Sequence, residues 1–225
     1  MYEFKDEYTN MPVNVQKDEK KGLYYVQQEK KRLYFRKSTP PKKIQKYYRA
    51  LSMEQDKRSP HHYFDSVKDV TGKVFVDIGC AEGYSSLEIV EEAKHIYLFE
   101  QDEQWLEAIR ATFEPWQDKV TIIQKYVSDH NSSREQTLDD FFNNQTDEHL
   151  FLKMDIEGAE RHALTGCKNL FQNCQKLDFA ICTYHLRDDE EVISTFLNKH
   201  NCAYINQKGF FRHRIRSVVM RGSKR

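Results

Sequence analysis

The feature that most constrains this chain is an alternation that starts at Lys73. Val74-Phe75-Val76-Asp77-Ile78 is a short β-rich run, followed by a turn from Gly79 to Gly83 and a helical stretch from Tyr84 to Ala93. The unit then repeats. His95 to Glu100 predicts a second strand, and Glu103 to Phe113 a second helix with Trp105, Ile109 and Phe113 on one stripe. Further strands are expected at Val120 to Ile123, Leu150 to Asp155, Leu177 to Tyr184, Cys202 to Asn206 and Ile215 to Met220, with helices at Gly158 to Leu170 and Asp188 to His200. Continuous apolar runs, as opposed to alternating ones, require burial on both faces. The chain is therefore expected to be α/β, a mostly parallel seven-stranded sheet with helices on both faces.

A length of 225 residues suits one such domain with an appendage. Residues 1–58 read as a small, basic, partly helical extension, and 59–225 as the α/β domain itself. Two short aromatic stretches, Leu23 to Val26 and Arg32 to Phe35, suit a hairpin; Pro40-Pro41 breaks the chain, and a helix is expected from Lys42 to Met53. Up to Pro60 there are 15 basic against 8 acidic residues, whereas the whole chain balances 35 against 35. That balance makes no case for nucleic acid. Five cysteines without C-x-x-C spacing suggest reduced thiols and a cytoplasmic protein. There is no apolar leader core, and no run approaches the roughly 20 residues of a membrane span.

In such a sheet, ligands bind beyond the carboxyl ends of the strands, where strand order reverses. The turn there reads Asp77-Ile78-Gly79-Cys80-Ala81-Glu82-Gly83. Gly79 and Gly83 let the backbone turn sharply beside a ligand. Glu100, 23 positions after Asp77, ends the next strand and suits both hydroxyls of a ribose. A dinucleotide requires G-x-G-x-x-G, which is missing here, and Glu82 would set a negative charge against its phosphates. S-adenosylmethionine carries an adenosyl group without phosphate, together with an ammonium and a sulfonium. Asp77 and Asp155, at strand ends, suit those positive charges.

Val76 to Gly83, followed by Tyr97-Leu98-Phe99-Glu100, resembles the class I, Rossmann-like methyltransferases. Leu152-Lys153-Met154-Asp155-Ile156-Glu157-Gly158-Ala159-Glu160 is similar to the K-x-D-x-E-G-x-E signature of the FkbM family within that class. Thr137 to Phe141 is also similar to that family. Glu54 to His61 looks like the lead-in of members found with glycan-biosynthesis genes. The resemblance covers roughly Glu54 onward. It implies S-adenosylmethionine as cofactor and O-methylation as the reaction. It also implies that Asp77, Gly79, Glu82 and Gly83 shape the methionine pocket, Glu100 holds the ribose, and Ser128 and Asp129 lie near the adenine. Asp155 would face the methionine portion or the acceptor. The loop from Ser59 to Tyr63, with His61, would lid the pocket within reach of substrate.

A sugar hydroxyl is a poor nucleophile, so a positioned base should assist. His185 follows the fifth strand directly and is the first candidate, Glu157 the second. Each has a plainer reading, His185 as a rim residue shaping the pocket and Glu157 as a partner of the following helix N-terminus. No metal is expected, because the fifth strand ends in Thr183-Tyr184-His185 and not in Asp-Asn, although Asp155, Glu157 and His185 would make an unusual site. Arg212, Arg214 and Arg216 suit an acidic sugar or a nucleotide-linked diphosphate, or form a solvated charge run, and the cluster Arg36, Lys37, Lys42, Lys43 and Lys46 has the same two readings. The acceptor is expected to be a sugar hydroxyl in glycan biosynthesis. RNA or a small metabolite as acceptor, or a non-catalytic module on the same fold, are the alternatives. The sequence sets no oligomeric state.

Overall fold

The computed structural model describes residues 4–143, 147–211 and 214–224. Helix α1 (Lys5–Thr9) leads into a three-stranded antiparallel sheet of β1 (Val15–Asp18), β2 (Leu23–Gln28) and β3 (Lys31–Tyr34). Helix α2 (Pro41–Glu54) starts with proline in its first turn, where the missing N–H costs nothing. The alternating region follows as β4 (Val74–Ile78), α3 (Tyr84–Ile89), β5 (His95–Phe99), α4 (Glu103–Phe113) and β6 (Val120–Ile123). A small parallel pair, β7 (Tyr126–Val127) and β8 (Glu135–Gln136), precedes α5 (Leu138–Phe141). Then come β9 (Leu150–Met154), α6 (Glu160–Thr165), α7 (Lys168–Asn173), β10 (Leu177–Cys182), α8 (Asp189–Lys199), β11 (Ala203–Phe211) and β12 (Arg214–Lys224).

The seven-stranded sheet has the order β11-β12-β10-β9-β4-β5-β6. From β10 to β6 all pairings are parallel, and β12 enters antiparallel between β10 and β11. This is the expected α/β class, with the order reversing between β4 and β9. Side chains alternate across the sheet. Phe75, Leu98 and Phe151 join an apolar cluster with α3, α4 and the N-terminal elements. Val76, Leu152 and Ile181 join a second cluster with α6, α7 and α8. Leu23, Leu33, Phe35 and Ile44 belong to the first cluster, so the N-terminal sheet and α2 share their core with the large sheet.

The helix expected over Gly158 to Leu170 is two helices. Gly166 lies so close to the preceding loop that a Cβ would stand 1.9 Å from the Ser128 carbonyl oxygen. Asp139 then restarts the chain as α7, its carboxylate accepting from the Asn169 and Leu170 N–H groups at 3.0 and 2.7 Å. The last two strands are longer than expected, a hairpin with an irregularity at Gln207/Lys208. The cysteines are all buried and unpaired by disulfides. No described helix is long and apolar enough to cross a membrane.

Candidate active site at the strand-order reversal

Asp77 and Lys153 are register neighbours on β4 and β9, and the period-two alternation turns both toward the α3 face. There the Lys153 ammonium lies 2.8 Å from Asp77 Oδ1, bent away from the ideal hydrogen-bond line. It also donates to the Gly79 carbonyl at 2.7 Å, and Ser86 Oγ donates to Asp77 Oδ2 at 2.6 Å. Burial alone would lower the Lys153 pKa, but the Asp77 and Asp155 carboxylates outweigh it and hold the ammonium above its ordinary range. Asp77 is thus a buried brace between two strand tips. The turn it stabilises is tight. Gly79 has φ +76°, and a Cβ there would stand 2.3 Å from the Asp155 carbonyl oxygen.

Beyond these tips lies a cavity of about 1050 Å³. Of the residues singled out from the sequence, Gly79, Glu100, Ser128, Asp129, Asp155 and Glu157 line it. Glu100 is bent back so that Oε2 accepts the Ala81 N–H at 3.0 Å and Oε1 the Asp102 N–H at 2.8 Å. Its carboxylate is oriented before any ligand arrives, with lone pairs to spare on both oxygens. Burial pushes its pKa up, against those two backbone donors. Asp129 is held by His130 and His162 at 2.8 and 3.1 Å, and these, His130 first, bring its pKa down to about 2. Apolar walls come from Ile78, Phe99, Val127 and Ile156.

Asp155 is the hub. Tyr63 donates to Oδ2 at 2.8 Å and Tyr184 to Oδ1 at 3.4 Å. His61 Nε2 stands 3.6 Å from Oδ2, and His185 Nε2 3.5 Å from Oδ1. Burial would raise the Asp155 pKa, but His61, Lys153 and Tyr63 hold it well below the carboxylate range. Glu157, at φ +56°, projects outward with its side chain 93% exposed, 3.7 Å from His185 Nε2. His185 Nδ1 lies 3.0 Å from the buried Glu160, off the line a hydrogen bond prefers. Burial lowers the His185 pKa, Glu160 and the other carboxylates raise it, and the raising wins.

Several residues singled out from the sequence lie off the cavity wall. Asp77, Glu82 and Gly83 do not line the cavity. Glu82 is buried and accepts from the Tyr47 hydroxyl at 2.8 Å; burial, opposed by that bond, pushes its pKa up to about 7. It is therefore no fixed negative charge facing a ligand. Gly83, at φ +82°, packs on Phe113. His61 and His185 stand behind Asp155 and away from the cavity wall. Arg214 is exposed, Arg216 donates to the Leu186 carbonyl at 2.8 Å, neither reaches the cavity, and Arg212 lies outside the described residues.

Of the N-terminal wall, sequence reasoning singled out only the basic residues Arg36 and Lys43. Arg36, Ser38, Thr39, Lys43 and Tyr47 line the cavity, as do Asp102 and Trp105. The Arg36 guanidinium sits 4.2 Å over the Trp105 ring and 3.3 Å from Asp102. The signals for this were the basic cluster with Arg36 and Lys43 and the helical spacing of Tyr47; Ser38 and Thr39 carry none.

The cavity tests well against a phosphate-free adenosyl cation. Its donor set is rich in carboxylates, with Glu100 and Asp155 already oriented, and its apolar walls suit an aromatic base.

Residues 125–210 match the sequence model of the Methyltransferase FkbM domain. Among solved structures, the chain is similar to a methyltransferase FkbM from Methylobacillus flagellatus KT, with 18% identity and a TM-score of 0.54. The match covers 67% of this chain and 43% of that one, so the chain spans less than half of that protein's length. It is also similar to the tRNA m1G37 methyltransferase of M. jannaschii, at 14% identity and a TM-score of 0.54, covering 90% of this chain and 56% of that one. No curated protein matches the chain. The matched segment contains Lys153, Asp155, Glu157 and Glu160 and lies on the Rossmann-like sheet, so in this part the chain is similar to the Methyltransferase FkbM domain.

Proposed function

We propose that this chain is an S-adenosylmethionine-dependent O-methyltransferase acting on a sugar hydroxyl in glycan biosynthesis, in the cytoplasm. The observation that carries this is the oriented carboxylate pair, Glu100 and Asp155, on one cavity at the strand-order reversal. Bound there, S-adenosylmethionine supplies a methyl group activated by positive sulfur. Glu100 holds the ribose hydroxyls with the free lone pairs of its two oxygens. Ser128 and Asp129 border the adenine. Asp155, kept anionic by its four neighbours, holds the positive methionine portion at the cavity floor.

Of the two candidates for the acceptor proton, Glu157 lines the cavity and His185 stands behind it. We assign the acceptor proton to this pair. Glu157 receives it, and His185, drawn toward its protonated form, balances charge among the three carboxylates around it. Aligning the acceptor oxygen is the larger part of the task. A carbohydrate acceptor is supported by the lead-in from Glu54 to His61, which in the fold positions His61 and Tyr63 against Asp155.

The test begins with calorimetry on the folded chain. S-adenosylmethionine and its demethylated product should bind with one site, and NAD should not. Incubation with labelled cofactor should then transfer methyl to a nucleotide-sugar pool and leave total RNA unlabelled. Labelled RNA with unlabelled sugars would overturn the carbohydrate reading, and folded protein that ignores the cofactor would overturn the class.

A further inference from the structure

On the side of Asp155 away from the cavity, three chemically different side chains converge. Cys182 ends β10, His61 comes from the loop after α2, and Asp155 follows β9. Cys182 Sγ lies 3.7 Å from His61 Nε2, which lies 3.6 Å from Asp155 Oδ2. All three are largely withdrawn from solvent, Cys182 completely. We propose that these residues form a divalent transition-metal site, with Zn²⁺ as the best-suited ion. This goes beyond the function proposed above and shares Asp155 with it.

Three observations point the same way. First, the spacing is right. Zinc bonds of about 2.3 Å to sulfur and about 2.1 Å to nitrogen or oxygen, opened to a tetrahedral angle, separate the ligand atoms by roughly 3.4–3.6 Å. Second, the imidazole is oriented from behind. The His61 Nδ1 edge faces the Glu54 carboxylate at 3.7 Å, leaving Nε2 for the ion; carboxylate support of a ligating histidine is the usual arrangement. Tyr63 steadies Asp155 by its 2.8 Å bond to Oδ2. Third, charge closes. A thiolate, a carboxylate and a neutral imidazole sum with a divalent ion to zero, and the neighbouring Lys153 is already matched by Asp77. Binding expels the thiol proton to solvent. Asp155 lies on the cavity wall, which gives the ion its way in.

A second cluster among the described residues, Asp155, Glu160 and His185, is less suitable. Its imidazole divides between partners, Nδ1 toward Glu160 and Nε2 toward Asp155, so no single ring nitrogen serves both carboxylates. Glu160 Oε1 is also taken up by the Ile156 N–H at 2.9 Å.

The test is spectroscopic and needs no turnover. The full chain, stripped with a chelator, is titrated with Co²⁺. One equivalent should give visible bands of a four-coordinate ion together with a near-ultraviolet sulfur-to-cobalt transition, and one equivalent of Zn²⁺ should bleach both. Cys182→Ser and His61→Ala should lose the sulfur transition while melting cooperatively, and His185→Ala should keep it. Glu54→Gln should weaken Co²⁺ roughly 10–100-fold. Folded wild type that takes up no cobalt overturns the proposal. So does a cobalt spectrum without the sulfur transition, or binding that survives His61→Ala and disappears in His185→Ala. Should Cys182→Ser fail to fold, the wild-type transition and the His61→Ala result decide. Calorimetry with S-adenosylmethionine on the stripped chain keeps the two readings apart.

Discussion

Lys153 shows how one side chain joins the framework to the site. It is a buried cation whose anion, Asp77, is buried beside it, and its second partner is the carbonyl of the glycine that forms the turn. Removing one member of such a pair leaves an unmatched charge in low dielectric. Lys153→Met should therefore destabilise the fold by about 3–5 kcal/mol in urea unfolding, and adding Asp77→Leu should recover most of that loss. Glu100 works differently, because its cost falls on the ligand. Glutamine offers one oxygen where two backbone N–H groups and a ribose require acceptors. Glu100→Gln should weaken S-adenosylmethionine roughly 10–100-fold by calorimetry, with little change in melting temperature. The motif residues were legible as a set in the sequence, and their division of labour was not. Asp77 and Asp155 look alike as strand-end carboxylates, yet register pairs the first with Lys153 and leaves the second at the cavity.

Among the elements, the turn from Gly79 to Gly83 does not stand alone. Its Glu82 reaches under α2 to Tyr47, so the helix and the turn are joined through a carboxyl that keeps its proton up to about pH 7. The unfolded chain releases that proton near the ordinary value of 4.5. Between these values the folded chain binds more protons, so this group's contribution to stability falls as pH rises through the window. The change amounts to about 3 kcal/mol at most. Glu82→Gln should remove that slope, measured as melting temperature against pH from 4.5 to 7.5. The strands were readable because two-sided burial writes itself as apolar runs. The break between α6 and α7 was not, since it depends on how closely Gly166 meets the Ser128 carbonyl, a long-range fact without local signature. The first strand, Val15–Asp18, also escaped notice, being short, polar and exposed at its centre.

For the whole molecule, the boundary placed after residue 58 divides a continuous core. The stretch before it contributes Leu23, Leu33, Phe35 and Ile44 to the cluster under the large sheet, and Arg36, Lys43 and Tyr47 to the cavity. A chain beginning at Ser59 should show exposed apolar surface by dye binding and lose its near-ultraviolet circular dichroism. A cooperative melt with cofactor affinity intact would show the extension to be dispensable. Basic composition drew attention to this region for its charge, whereas its aromatic and aliphatic residues are what tie it in.

His62 has a consequence for distance. Its ring is held by the Ser59 carbonyl, Asp65, Gln207 and Arg221, which pins the segment carrying His61 and Tyr63 to the far hairpin of β11 and β12. The last strand thereby acts as a strut. Loosening it at Arg221, well away from any reacting atom, should let Tyr63 and His61 drift from Asp155. Arg221→Ala should cut methyl transfer while the cavity's own walls stay intact.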